Sequence, residues 1–183
     1  DDYVRTAANN QFDSYQSGTI VAWFKTTSQT DQDLFSYSTT DNASSVIEWD
    51  LWPNAGTPTL CQDWKTPYGS WASVCKATPS NIFDGNWHMA AFVANGSSIV
   101  KIYLDGVNLN TTSSDFWQET AGQGANSDFI ADVLSTSNQF AEIGARHRDI
   151  ANTGVNFFNG TIDDARIYNR ALSDAEIQAL YDA

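Results

Sequence analysis

Four glutamates, two histidines and two cysteines, with a large excess of aspartate, are what this 183-residue chain offers for acid–base or thiol chemistry. Glu48-Trp49-Asp50 is the most suggestive spacing, because on a strand positions 48 and 50 share one face. Retaining glycosidases need two carboxylates about 5–5.5 Å apart. The next positions are Trp52 and Pro53, so no acid follows on that strand to take the second role. Glu119, Glu142 and Glu176 fall in a loop, a strand and a helix. No Ser-His-Asp or Cys-His arrangement surrounds His88 or His147. Cys61 and Cys75 lie fourteen residues apart beside turn material, with no His-Cys cluster to suggest zinc. Paired, they close a hairpin, contribute about 3 kcal/mol on the chain-entropy model, and imply an oxidising compartment.

Binding chemistry has more material. Trp49, Trp52, Trp64, Tyr68, Trp71 and Trp117 lie in strands or loops beside turns. A flat ring is a platform for the apolar C–H face of a pyranose, with Asp, Asn and Arg bonding its hydroxyls. Sandwich cores also use tryptophan, and half of these six are expected inside, Trp49 first. Trp52, Trp64, Tyr68 and Trp117 are the platform candidates. Arg146-His147-Arg148-Asp149 is the single basic cluster. Either an arginine there bonds paired hydroxyls or a carboxylate of a sugar at a rim site, or the segment is a solvated loop with one arginine paired to an aspartate.

Bulk properties narrow the partners. Acidic residues number 22 against 9 basic, a net charge of −13, which opposes nucleic acid and anionic membranes. No apolar run approaches the ~20 residues of a membrane span, and no signal peptide is visible. The chain therefore reads as a mature secreted form or a fragment of a larger extracellular protein. Asn42, Asn95, Asn110 and Asn159 open N-glycosylation sequons.

The elements that would position these groups are short strands. The plainest are the two arms of a hairpin over residues 84–106, with Trp87 expected in the core and His88 a satisfied strand histidine. Further strands are expected at Tyr3–Thr6, Thr19–Lys25 with Trp23 inside, Leu34–Tyr37, Val46–Trp52, Leu60–Trp64, Trp71–Lys76, Phe140–Gly144 and 157–169. Pro53, Gly56 and Pro58 imply a loop over 53–59, and residues 107–127 read as a long loop. Phe129–Leu134 reads as a short strand or helix. Ser173-Asp174-Ala175-Glu176 is a capping box opening a short helix, with Ile177 and Leu180 inward. Together they predict one all-β domain over residues 1–183, an antiparallel sandwich with a small terminal helix.

Four blocks come in a recognisable order: Thr19-Ile-Val-Ala-Trp-Phe-Lys, Asp84-Gly-Asn-Trp-His, Ile102-Tyr-Leu-Asp-Gly, and Phe158-Asn-Gly-Thr-Ile-Asp-Asp-Ala-Arg-Ile-Tyr-Asn-Arg-Ala-Leu-Ser. The chain resembles the laminin-G-like, concanavalin A-like jelly-roll family over about residues 1–181. That resemblance implies two antiparallel sheets and a calcium-stabilised, carbohydrate-binding or adhesive role. It points to Asp163 as a calcium ligand, with Asp2 second. Family members usually lead into the first strand through Phe-Asp-Gly, where this chain starts at Asp1-Asp2-Tyr3-Val4. The glucanases of this fold place Glu, Asp and Glu on alternating positions of one strand, and Glu48 and Asp50 match only the first two. The expectation is a secreted, non-catalytic lectin or carbohydrate-binding module, binding at about −4 to −8 kcal/mol per site. The alternatives are an adhesive domain recognising protein and, third, a glycosidase or lyase.

Overall fold

A computed structural model describes residues 2–7, 17–39, 46–65, 71–95, 100–112, 115–121, 139–146 and 156–183. Its strands are β1 (Val4–Ala7), β2 (Gly18–Thr26), β3 (Gln32–Thr39), β4 (Val46–Asn54), β5 (Thr57–Lys65), β6 (Trp71–Ala77), β7 (His88–Ala94), β8 (Val100–Leu104) and β9 (Val107–Asn108). The turn α1 (Leu109–Thr112), strands β10 (Asp115–Ala121), β11 (Gln139–Ile143) and β12 (Gly160–Tyr168), and helix α2 (Asp174–Tyr181) complete the order. One sheet runs β1-β11-β3-β4-β5-β6-β10, the other β12-β2-β7-β8-β9, and every pairing is antiparallel.

The side-chain period of two divides each strand between faces. On β4, Ile47, Trp49 and Leu51 enter the main core, where they meet Leu34, Tyr37 and Leu60 from their own sheet and Phe24, Phe92 and Ile102 from the other. Strand β7 is buried on both sides. Its Ala90, Phe92 and Ala94 face the main core, while Met89, Ala91 and Val93 join Val21, Tyr103, Leu172 and Ile177 in a second cluster under α2. The small residues of β7 therefore serve two interfaces. Ser173 caps α2 with the reciprocal box expected from the sequence: its side chain accepts from Glu176 N–H, and Glu176 reaches back to the cap backbone. Tyr103 Oη and Lys101 Nζ both donate to Asp174 Oδ1 at 2.8 Å, fastening the helix to β8.

His88 is satisfied as expected. Its ring nitrogens lie 2.8 Å from Asp105 Oδ2 and 3.2 Å from Asp84 Oδ1, so one imidazole ties both turns of the hairpin together. Four expectations are corrected. Trp87 is 41% exposed rather than a core plug, because it precedes the buried run of β7; Lys25 Nζ sits 5.0 Å from its ring centroid. Trp23 is only half-buried, stacked on Tyr181 at 5.6 Å on the α2 side. Residues 53–59 make a tight hairpin, with Ala55 (φ 47°) and Gly56 (φ 88°) both left-handed at its tip. Pro53 faces Pro58, a pair one step from a two-residue turn that exchanges no hydrogen bonds, so the β4–β5 ladder loses none to the two prolines. Within 107–127, β9, α1 and β10 replace the expected loop; β10 is held by pairing along β6 rather than by its own propensity. The expected element at Phe129–Leu134 lies outside the described residues.

Candidate functional site

Away from the core, the larger sheet carries polar side chains in two transverse rows. In the first, register places Arg5, Glu142, Ser36, Glu48, Asp63 and Ser73 side by side across β1, β11, β3, β4, β5 and β6. In the second, Asp33, Asp50, Cys61 and Cys75 follow across β3, β4, β5 and β6. Arg5 Nε donates to Glu142 Oε1 at 2.5 Å. Ser36 Oγ lies 2.9 Å from Ala145 O and 3.2 Å from Glu142 Oε2, so the chain leaving β11 is pinned over the sheet.

That segment delivers Arg146. It is 4% exposed, its Nη1 donates to Glu48 Oε2, and its Nε stands 3.8 Å from Asp33 Oδ2. Burial opposes the guanidinium charge, but Asp33, Glu48 and Asp31 outweigh it and hold the group cationic. Beside this pair opens a cavity of about 280 Å³ lined by Asp31, Asp50, Trp52, Cys61, Asp63, Ser73, Cys75 and Arg146. Cys61 and Cys75, directly opposed with Cα atoms 4.1 Å apart, form the expected disulfide in its lining. Asp50 is the unusual member. It is 4% exposed, and its Oδ1 has no hydrogen-bond partner. Burial first, then the charges of Asp63, Asp33, Asp31 and Glu48, push its carboxyl well above the usual range. The cavity thus combines one aromatic ring, a fixed cation and several carboxyls.

Of the residues singled out in the sequence, Trp52 and Arg146 meet here, although Arg146 is neither at an open rim nor solvated. Trp64 lies on β5 opposite Ile47, and Trp117 on β10 opposite Cys75; their side chains lie outside the described set. Tyr68, His147, Arg148 and Asp149 also lie outside it. Sequence reasoning missed Asp31, Asp33 and Asp63 as partners of Asp50. Alternation along Glu48-Trp49-Asp50 was the available signal, but the cross-strand neighbours are set by register.

The calcium candidates sit elsewhere. Asp163 is exposed on β12 at a bulge, its Oδ1 accepting from Asp164 N–H at 2.8 Å, while Asp164 itself holds Arg166. Asp2 lines a separate cavity with Tyr3, Ile143 and Phe158. Among the described residues no group of three or more His, Cys, Asp and Glu side chains is placed to hold a metal ion.

Solved structures share this architecture. The carbohydrate-binding module CBM40 of a Ruminococcus gnavus IT-sialidase, bound to α2,3-sialyllactose, superposes with a TM-score of 0.70 at 20% identity, covering 93% of this chain and 85% of that one. The same module bound to α2,6-sialyllactose gives 0.69 at 18% identity, covering 99% and 97%. A heptameric SAP-like pentraxin from Limulus polyphemus gives 0.57 at 13% identity, covering 91% and 70%. No curated protein matches the chain. Its sequence matches the laminin-G profile of the concanavalin A-like lectin/glucanases superfamily over residues 1–178. With the two antiparallel sheets that the four sequence blocks anticipated, this match establishes that the chain belongs to the concanavalin A-like lectin/glucanases superfamily.

Proposed function

We propose that the chain binds carbohydrate without transforming it, through the groove between Trp52, Asp50 and Arg146. The observation that carries this reading is the lining itself: one half-buried indole beside a few polar groups, the mix that holds a sugar by its apolar face and its hydroxyls. The sialyllactose-bound modules of the same fold support it. Catalysis is disfavoured by the same residues. Glu48, the first acid of the partial glucanase pattern, is occupied by Arg146, and the position of the third acid on that face is Trp52. A glycan array probed with the full chain tests this, and Trp52→Ala is expected to weaken whichever glycan binds. No binding to any glycan would overturn it.

An extracellular setting fits the disulfide and the family, as does service within a larger extracellular protein. Calcium at Asp163 and Asp2 has its support in the resemblance alone. A chelator that lowers the melting midpoint would support it, and an unchanged midpoint would remove it.

A further inference from the structure

We infer that the groove at Asp50 selects glycans carrying a free amino group, such as glucosamine units, over neutral or carboxylated sugars. This rests on the carbohydrate-binding reading above and adds the charge of the ligand. Three carboxyl side chains line the cavity, from Asp31, Asp50 and Asp63, against one cation, Arg146. That cation is already committed to Glu48 and Asp33 within the protein. A sugar carboxylate would therefore meet three acids and an arginine whose charge is already shared between two buried carboxylates.

Asp50 supplies the positive part of the case. Its Oδ1 is enclosed and has no hydrogen-bond partner, on a residue that lines the cavity. Buried polar atoms ordinarily have partners, and an orphan at a binding cavity marks where a ligand donor belongs. A neutral hydroxyl would satisfy one lone pair and leave the charge of the cavity as it was. An ammonium brings up to three donors and the opposite charge together. Trp52 on the same wall favours a pyranose over a linear polyamine, because a ring face needs a flat apolar partner. The net charge of −13 draws cationic ligands toward the molecule as a whole.

The test is calorimetry on the full chain with four β1,4-linked tetramers or analogues: glucosamine, N-acetylglucosamine, glucose, and, for the anionic case, α2,3-sialyllactose, with spermine as a charge control. The glucosamine tetramer should bind at least about tenfold more tightly than the others, a difference well within calorimetric range. Asp50→Asn should abolish that preference while the variant still melts cooperatively, and Asp63→Asn, at the more open side of the groove, should reduce it. Equal or tighter binding of a neutral or sialylated glycan overturns the amino-sugar inference and leaves the carbohydrate reading standing. Spermine binding as tightly as the glucosamine tetramer overturns it too, since charge without a sugar would suffice. Binding of none of these, together with a blank array, removes both.

Discussion

Arg146 Nη1 donates to Glu48 Oε2, joining residues 98 positions apart and closing the segment after β11 onto the middle of the larger sheet. Neither partner touches bulk water to any extent. An ion pair so placed offsets its own desolvation only while both members are present.

Breaking it should therefore be costly. Arg146→Ala is expected to destabilise by about 3–5 kcal/mol in urea unfolding, because Glu48 and Asp33 stay buried without their cation. Arg146→Lys should recover only part, lacking the planar fork. Replacing Arg146 by Met and Glu48 by Leu together should cost less than the sum of the single changes.

Asp50→Asn should raise stability at neutral pH. The native carboxyl is held above its ordinary range by burial and by Asp63, Asp33, Asp31 and Glu48, so the folded state binds its proton more tightly than the unfolded chain. The penalty is therefore largest at high pH and fades as pH falls through the folded value toward the ordinary one. Thermal melts across that range should show the gap between Asn and wild type narrowing with acid. A variant both more stable and weaker in binding would mark a residue kept for function.

Removing the Cys61–Cys75 bridge by a double Ala substitution should lower stability by about 3 kcal/mol on the loop-closure model. Chemical denaturation with and without reductant checks it, and the double variant should be indifferent to reductant.

Asp174 should govern acid sensitivity at the α2 end. Bonds from Lys101, Tyr103 and Asn108 depress its carboxyl to about 2. A depressed acid stabilises fully above its unfolded value and loses that contribution as pH falls toward 2. Asp174→Asn should flatten the fall of the melting midpoint over that window, with an effect limited by the exposure of the side chain.

The strands were largely legible in the sequence because the period of two is a local property, and so was the cap of α2, whose partners are three residues apart. Trp49 could be placed inside by alternation with Glu48 and Asp50. Trp87 could not, since a residue just before a buried run looks like a member of it, and only the end of the ladder decides. The Pro53–Pro58 hairpin was hidden because two prolines read as a loop until register shows them opposed at a pair without hydrogen bonds. The site was the least legible part. Asp33, Asp50 and Asp63 come from three strands and are neighbours only through pairing, and Arg146 reaches them from a segment that composition marks as solvated. Burial of a charge is a property of what covers it, which no local window contains.

The placement of the disulfide bears on how recognition would be timed against folding. Cys61 and Cys75 join β5 to β6 beside Asp50, and both line the cavity. A lining cross-linked in this way has less freedom to lose when a ligand is taken up. The same staple ties ligand capture to redox state: cleaving it should slacken the cavity locally while the core of Phe24, Trp49 and Phe92, on the other face of the sheet, still holds the sandwich closed. Binding would then fail in a molecule that remains folded.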